Sequence, residues 1–254
     1  MKKLSIIIPS YNDKRIISAI KSVRNIDDIN TVKIIIIDGG SEEILLGQVR
    51  ALLGEEDLLI SEKDKGIFDA LNKGLEVVKT DFLGWLGSDD LFTGKIKTSV
   101  IVKELHDYDL YISDLLMVKG SNIIRRTSSW PCSVGLCLLG LHNPHYSTFG
   151  RSTLLKKYRF DLDLYGADIK FFLRIFRLKP RVKRTATVGV LQEVGGYSNL
   201  DYKHILKINL QLFKVYKNYL PAFLAWVPIL IKLLYKMYGS LRYKIWPSSV
   251  GNNK

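Results

Sequence analysis

The chain is poor in cysteine and contains two, Cys132 and Cys137, among 254 residues. This scarcity excludes a disulfide-stapled scaffold and fits a reducing compartment. A C-x4-C pair without neighbouring cysteines is a poor zinc site, so we interpret both thiols as small apolar fillers. Long apolar runs are also scarce near the start. The run over residues 4–8 is too short for the core of a signal peptide and ends at Pro9, so no secretion signal is expected.

Acidic residues are scarce in the second half of the chain. Residues 119–254 contain 23 Lys and Arg against 5 Asp and Glu, whereas residues 1–118 contain 15 against 20. The formal charge of +13 therefore comes from the second half, which suits phosphate, nucleic acid or an anionic membrane, while the first half suits a metal ion. A charge carried for solubility alone explains a moderate excess but not one this uneven.

The glycine-rich loops that cradle phosphates are missing as well. After the first predicted strand the sequence reads SIIIPSYND, where a dinucleotide site would have G-x-G-x-x-G, and no G-x-x-x-x-G-K-[ST] occurs. A nucleotide would therefore be bound through side chains and a metal ion.

What the first third does contain is an alternation of strands and helices. Apolar runs predict strands over 3–9, 32–38, 58–61 and 81–86, separated by helical periodicity. This alternation predicts a parallel α/β sheet with right-handed crossovers, whose ligands bind at the carboxyl ends of the strands. The polar residues at such ends are Tyr11, Asn12, Asp13, Asp38, Ser88, Asp89 and Asp90.

Asp89 and Asp90 are adjacent carboxylates after a buried strand. Two like charges side by side repel each other unless a cation or water screens them, and Mg²⁺ or Mn²⁺ favours carboxylates together with phosphate oxygens. The alternative is a solvated turn that caps a helix over residues 91–104. Asp38 ends another strand of the same sheet, where it could accept hydrogen bonds from a base or a ribose, or serve as a turn residue.

The strings SIIIPSYND, IIIIDGGSEE, SEKDKGIFDALNKGL and FLGWLGSDDLF closely resemble family 2 glycosyltransferases, nearest to the bacterial surface-polysaccharide branch. The resemblance covers residues 3 to about 198, with HNPHYSTFGRSTLL, GADIKFFLRI and GGYSN matching more loosely. It implies a GT-A fold, a Rossmann-like, mixed and mostly parallel sheet flanked by helices. Residues 1–200 would form this domain, with a nucleotide-sugar and metal half over 1–118 and an acceptor half over 119–200.

The resemblance also implies roles for individual residues. Asp38 would hold the base, usually uracil, and Asp89 would face the sugar hydroxyls. Asp90 is the better candidate for direct contact with Mn²⁺ or Mg²⁺, and His145 could contact the metal, the diphosphate or the acceptor. Asp168 falls where such enzymes place the catalytic base. The other nucleotide-sugar-binding positions are Pro9, Tyr11, Asp64, Lys65, Asn72, Lys73 and Ser88.

Two positions depart from the family pattern. Ala167 stands where an acid usually precedes the base, and Lys170 stands where an acid or polar group is common. A cation there would lower the pKa of Asp168 and weaken it as a base. From the residues alone, Asp168 could instead cap a helix, and His145 could be a structural histidine.

These features predict an inverting, metal-dependent glycosyltransferase. It would move a sugar from a nucleoside-diphosphate sugar, UDP-linked by expectation, to a saccharide acceptor that is lipid-linked, in assembly of bacterial O-antigen or capsule polysaccharide. One alternative is a sugar nucleotidyltransferase, although a glycine-rich first loop with a basic residue would then be expected. The other is a non-catalytic member that binds membrane or partner proteins, an option kept open by Ala167 and Lys170.

Residues 201–254 form a basic, apolar tail that is predicted to be helical and amphipathic. Residues 220–231 carry no charge, but twelve residues are too few to span a membrane, and Pro221 and Pro228 interrupt them. We interpret the tail as lying on an anionic membrane surface, which predicts a cytoplasmic protein peripheral to the inner face of the cell membrane. The alternative is a helix packed on the core, and no nucleic-acid-binding motif accompanies the tail. The aromatic residues suited to the headgroup region are Trp226, Tyr235, Tyr238 and Trp246.

Overall fold

The structure is a computed structural model that describes residues 3–26, 31–130, 132–139, 143–194 and 202–245. Its strands are β1 Leu4–Ser10, β2 Val32–Asp38, β3 Leu58–Ser61, β4 Phe82–Trp85, β5 Leu91–Phe92, β6 Leu110–Lys119, β7 Asn122–Thr127, β8 Thr148–Arg151 and β9 Val182–Glu193. Its helices are α1 Ile16–Arg24, α2 Glu43–Arg50, α3 Ile67–Val77, α4 Thr98–Asp107, α5 Val134–Leu138, α6 Ser152–Leu155, α7 Ala167–Arg177, α8 Tyr202–Tyr216 and α9 Val227–Ile245. Short 3-10 turns occupy His145–Ser147 and Ala222–Leu224.

The described strands form one mixed sheet in the order β3-β2-β1-β4-β8-β6-β9-β5, with β7 paired to β6. The strands β3, β2, β1 and β4 are parallel neighbours, as the βα alternation predicted. In the middle of the sheet, β8 runs antiparallel to both β4 and β6. The two halves of the sequence therefore share one sheet, which joins them through β8.

Strands β1 and β2 are buried because helices cover both faces of the sheet. Along β1, Ile7 joins the apolar cluster beneath α3 and α7, whereas Ile6 and Ile8 join the cluster beneath α1 and α4. This alternation explains why β1 and β2 are continuous β-branched runs and not alternating polar and apolar ones. Helix α3 approaches closely because Gly74 has no side chain, since a Cβ there would lie 2.5 Å from Ile7.

The segment after Asp90 differs from one expectation. No helix runs over residues 91–104, since Leu91–Phe92 forms the short strand β5 and the helix α4 begins at Thr98. Strand β5 pairs antiparallel with β9, placing Leu91 opposite Leu191. That partner lies far along the chain, so local periodicity did not indicate it.

The helices of the predicted tail pack on the body of the protein through one face. Leu212, Val215 and Tyr216 of α8 and Ile229 of α9 are buried in the same apolar cluster as Phe172 of α7. Burying each side chain stabilises the fold by about 2 kcal/mol. Within the described residues, none of the helices is both long and apolar enough to cross a membrane. The GGYSN string and Trp246 fall outside the described residues.

Candidate active site

The loops that follow β1 and β2 are tied together at the carboxyl edge of the sheet. The Asn12 backbone N–H donates to Ser41 Oγ at 2.7 Å, and the Asn12 side chain accepts from the Glu42 N–H at 3.0 Å. Asn12 has a φ of +48°, a left-handed conformation that asparagine tolerates better than most residues. These contacts hold the two loops in a fixed relation before any ligand binds.

The pairing of β1 with its two neighbours ends at different points. With β2 it continues to Ser10 and Asp38, whereas with β4 it ends at Ile7 and Trp85. Pro9 has no N–H to donate, and its position beyond the β1–β4 ladder means that no bond is lost on that side. Strands β1 and β4 therefore separate at the point where the polar loop after each of them begins.

Asp38 is engaged by donors of the protein itself. Its side chain is 2% exposed. Its Oδ2 accepts from the Gly40 N–H at 3.0 Å, the Ser41 N–H at 2.7 Å and Ser61 Oγ at 2.7 Å, and its Oδ1 accepts from Ser41 Oγ. The carboxylate therefore shapes the loop after β2. Contact with a base stays a prediction, and it would require Ser41 to turn away.

Tyr11 and Asp64 lie on either side of Gly39. A Cβ on Gly39 would be 3.0 Å from Asp64 Oδ2 and 3.3 Å from the Tyr11 ring. Tyr11 is 65% exposed, so its ring offers a stacking face beside the loop. Asp64 accepts from the Gly66 N–H at 2.8 Å, and the backbone N–H of the exposed Lys65 donates to Asp69 Oδ2 of α3 at 3.0 Å. These predicted nucleotide-binding residues do come together.

Asn72 and Lys73 point to different partners. The Asn72 side chain donates to the Phe160 carbonyl at 2.9 Å and accepts from the Phe160 N–H at 2.8 Å. Lys73 Nζ pairs with Glu62 Oε1 at 2.7 Å, and this hydrogen bond raises the pKa of Lys73. Both polar ends of the Asn72 amide are thus used to fasten α3 to the loop before α7. Contact of Asn72 with the nucleotide stays a prediction.

Asn72→Ala is expected to lower the free energy of unfolding by about 1–3 kcal/mol, because it leaves both backbone groups of Phe160 without partners. Urea unfolding of the purified chain measures this change. Lys73→Gln is the matched control and should cost less than about 1 kcal/mol, since its ion pair is exposed. Equal stability of Asn72→Ala and the wild type would contradict the structural role.

The acidic loop after β4 is linked to the loop after β1. Ser88 Oγ donates to Asp13 Oδ2 at 3.0 Å, and Arg15 donates to both oxygens of Asp13. Arg15 also lies 3.5 Å from Asp89 Oδ2. Burial raises the pKa of Asp13, but the hydrogen bonds from Arg15 and Ser88 outweigh it and hold that pKa below its usual value. Burial raises the pKa of Asp89 despite the nearby Arg15.

Asp90 is the most perturbed carboxyl of this edge. It is 1% exposed, its Oδ1 accepts from the Glu193 N–H at 3.2 Å, and its Oδ2 has no hydrogen-bond partner within the described residues. Burial and the neighbouring Asp89 carboxylate raise the pKa of Asp90 to about 8. The alternative of a solvated turn is therefore wrong for Asp90.

The same loop fits a divalent cation. A Cβ on Gly87 would lie 2.6 Å from Asp90 Oδ2 and 3.0 Å from Asp89 Oδ1, so both carboxylates converge on the space beside this glycine. An orphaned oxygen and a second carboxylate provide two oxygen ligands, and Mg²⁺ usually takes one or two carboxylates together with substrate phosphates. Across the described ranges, His, Cys, Asp and Glu do not gather in a metal-holding group of three or more. A substrate diphosphate would have to complete the coordination.

Asp168 lies in the first turn of α7, half-buried. The N-cap of the helix is Gly166, so Asp168 lies inside the first turn and not at the cap position itself. Lys170 donates to Asp161. The ammonium that was expected to weaken the predicted base is thus engaged by another carboxylate. Beside α7 an open cleft is lined by Asp161, Leu162, Asp163, Leu164, Lys170, Gln211, Lys214, Val215 and Asn218.

His145 lies in an aromatic cluster. Its ring centroid is 4.8 Å from that of Trp85 and 5.4 Å from that of Phe160, and its Nε2 is buried without a hydrogen-bond partner in the described part of the chain. Burial lowers the pKa of His145 to about 3, so the ring is neutral. Metal contact by His145 stays a prediction, and the surroundings favour a packing role.

Tyr146 is the residue that the sequence analysis missed. Its ring stacks on His145 at 4.8 Å. Burial raises the pKa of its hydroxyl, and so do the negative charges of Asp90, Asp89 and Asp168. One hydroxyl is therefore close enough to sense both the predicted metal ligands and the predicted base. The HYST string carries no spacing that could have indicated this, because the three carboxylates come from two distant segments.

Known proteins resemble the chain in sequence. The model of the family described as "Glycosyl transferase family 2" matches residues 5–163. The GalNAc(5)-diNAcBac-PP-undecaprenol beta-1,3-glucosyltransferase of Campylobacter jejuni is 26% identical over 192 residues, which are 70% of this chain and 61% of that protein. The chain spans less than two thirds of the length of the first curated relatives that it matches.

Solved structures share the fold. S. aureus TarS 1-349 in complex with UDP-GlcNAc superposes with a TM-score of 0.63 at 16% identity, covering 96% of this chain and 76% of that one. A mannosyltransferase of Pyrobaculum calidifontis, solved with GDP-Man and Mn2+, gives a TM-score of 0.62 at 15% identity, covering 97% and 76%. The mixed, mostly parallel sheet with flanking helices is therefore the GT-A-like fold that the sequence predicted.

Proposed function

This chain belongs to glycosyl transferase family 2, and from that membership we propose that it is an inverting, metal-dependent glycosyltransferase. The observation that carries the proposal is the convergence of Asp89 and Asp90 beside Gly87, where the charges of both and of Asp168 raise the pKa of the Tyr146 hydroxyl. This arrangement combines a site for a charged leaving group with a carboxylate suited to general-base work.

In the proposed reaction, Asp168 accepts the proton of the acceptor hydroxyl as its oxygen attacks the anomeric carbon. The bond from that carbon to the diphosphate breaks in the same displacement, so an α-linked donor yields a β-linked product. Asp90, with Asp89 beside it, would hold Mn²⁺ or Mg²⁺, and such an ion would supply positive charge that neutralises the diphosphate. No second carboxylate acts as a nucleophile, which distinguishes this reaction from that of a retaining glycosidase.

The proposed donor is a UDP-linked sugar. Tyr11 and Asp64 flank Gly39 and offer a stacking ring and a carboxylate to the base and ribose. The structure of S. aureus TarS with UDP-GlcNAc supports uridine, and that of the Pyrobaculum enzyme with GDP-Man and Mn2+ supports a metal-assisted nucleoside diphosphate in this fold. Lys65, Lys73 and Ser88 remain proposed contacts for the donor.

The proposed acceptor is a lipid-linked saccharide in bacterial surface-polysaccharide assembly. The name of the Campylobacter relative describes an undecaprenol-linked acceptor, and the basic second half of this chain suits a diphosphate-bearing one. Such an acceptor would place the enzyme on the inner face of the cell membrane, with the C-terminal helices in contact with anionic lipid. The non-catalytic alternative loses support because Lys170 is engaged by Asp161.

Thermal unfolding with a panel of nucleoside diphosphates tests the proposal. Ligand binding to the native state raises the Tm by mass action, so UDP with Mn²⁺ is expected to raise it, and EDTA to remove the shift. GDP, ADP and CDP, each added in place of UDP, should give smaller Tm shifts. The absence of any nucleotide-dependent shift would overturn the proposal, whereas a larger shift with GDP would keep the transferase and replace the donor.

A further inference from the structure

The exposed face of the C-terminal helices carries a continuous row of apolar side chains. Along α9, Leu230, Leu234 and Met237 are 57%, 63% and 67% exposed. Their spacing of three to four residues places them on one side of the helix. We name this row, with its extension before the helix, the apolar ridge. It consists of Phe223, Leu224, Trp226, Val227, Leu230, Leu234, Met237 and Tyr238.

The helix that carries the ridge is held in place by its other face. Pro228 and Ile229 are buried, and Leu233 packs against the same cluster as α7 and α8. The start of α9 is fixed further by Trp226, whose ring stacks on Phe213 of α8 at 4.6 Å. The ridge therefore lies on the outward face of a helix whose opposite face packs on the protein.

The net charge of the segment that carries the ridge limits which partners can bind to the ridge. Residues 202–254 contain nine Lys and Arg and no Asp or Glu. A second copy of the chain would bring the same positive charge against itself, which disfavours a symmetric dimer through this face. An anionic lipid surface matches both properties, because acyl chains accept the apolar side chains while headgroup phosphates attract the lysines.

We propose that the apolar ridge inserts into the headgroup region of an anionic bilayer, with α9 lying in the plane of the membrane. This inference deepens the proposed function by naming the surface that meets the membrane. It rests on that function only for the reason that the contact would be useful, which is access to a lipid-linked acceptor. In this proposal one face of α9 packs on the core and the opposite face contacts lipid, so the two alternatives for the tail are compatible.

Sedimentation of the full chain with vesicles tests the proposal. Binding to vesicles of phosphatidylglycerol and phosphatidylcholine in equal parts should exceed binding to phosphatidylcholine alone, and added salt should weaken it. The double variant L230S/L234S should lower the partition coefficient by about tenfold or more, because two leucines no longer enter the apolar layer. Both side chains are already exposed, so an unchanged melting curve is expected.

The matched control is I44S/V100S, which removes two exposed apolar side chains elsewhere on the protein. It should bind vesicles as the wild type does. Equal losses in both double variants, wild-type binding by L230S/L234S, or no vesicle binding by the wild type would each overturn the proposal. A wild-type dimer that L230S/L234S dissociates would assign the ridge to a second copy instead. The nucleotide-dependent Tm shift is measured without lipid, so it fails or holds independently.

Discussion

Asp168→Asn is expected to lower kcat for sugar transfer by about 10³-fold, the range of a lost general base. The amide keeps the shape of the side chain but cannot accept the proton of the acceptor hydroxyl. Asp168 lies in the first turn of α7 and is not the residue that caps it, so the helix should form as before. The nucleotide-dependent Tm shift should stay unchanged, because the change removes a proton acceptor and not a donor-binding group.

Initial-rate measurements with a UDP-sugar donor and a saccharide acceptor test this expectation. Asp163→Asn is a suitable control, since it makes the same chemical change on the exposed loop before α7 and should leave kcat within about twofold of the wild type. Wild-type kcat in Asp168→Asn would remove Asp168 from the mechanism. Loss of the nucleotide shift in the same variant would instead point to damage of the fold.

Asp90→Asn is expected to abolish metal-dependent nucleotide binding. It is also expected to make the metal-free protein more stable than the metal-free wild type, by a margin that grows as pH rises. The pKa of Asp90 is raised to about 8 in the folded chain from its ordinary value of 3.8. The folded state therefore binds the proton more tightly than the unfolded state does. Stability is lost as pH rises between these two values, and the full cost of ionisation is about 6 kcal/mol. Asparagine carries no such cost.

Urea unfolding of the wild type and Asp90→Asn across about pH 5 to 8 isolates this effect, because other titrating groups cancel in the difference. The difference should grow in favour of the variant by up to about 1.4 kcal/mol for each pH unit. Saturating Mn²⁺ should stabilise the wild type at the alkaline end and leave the variant unchanged. Glu56→Gln, at an exposed carboxylate, should show neither trend. A pH-independent difference would disprove the assignment of a raised pKa to Asp90.

The first half of the sheet could be predicted from the sequence because its signals are local. Strands β1 and β2 contain runs of three and four consecutive isoleucines, and their observed bounds differ from the predicted ones by at most one residue. The second half could not be predicted in this way. Strand β5 has two residues, and its pairing with β9 joins segments almost a hundred residues apart. No periodicity within a short window carries such information.

The features of the candidate site likewise separate into those that local sequence signals indicated and those that depend on tertiary contacts. The acidic loop after β4 was found because strand ends collect polar residues at one edge of a parallel sheet. The partners of Asp38 and Asn72 were not found, since Ser61 and the backbone of Phe160 approach them from other elements. Tyr146 was missed for the same reason. In each case the residue type indicated a capacity for hydrogen bonding, and tertiary contacts decided where that capacity is used.

The position of β8 between β4 and β6 has a consequence for how the chain matures. Until residues 148–151 have been synthesised, the outer edge of β4 has no partner strand, although its residues are fully apolar and buried in the finished sheet. An unpaired apolar edge invites association between nascent chains. The first 118 residues contain the proposed metal ligands Asp89 and Asp90, but they lack the strand that pairs with this edge of β4. The sheet is completed later still, when β9 pairs with β6 and β5.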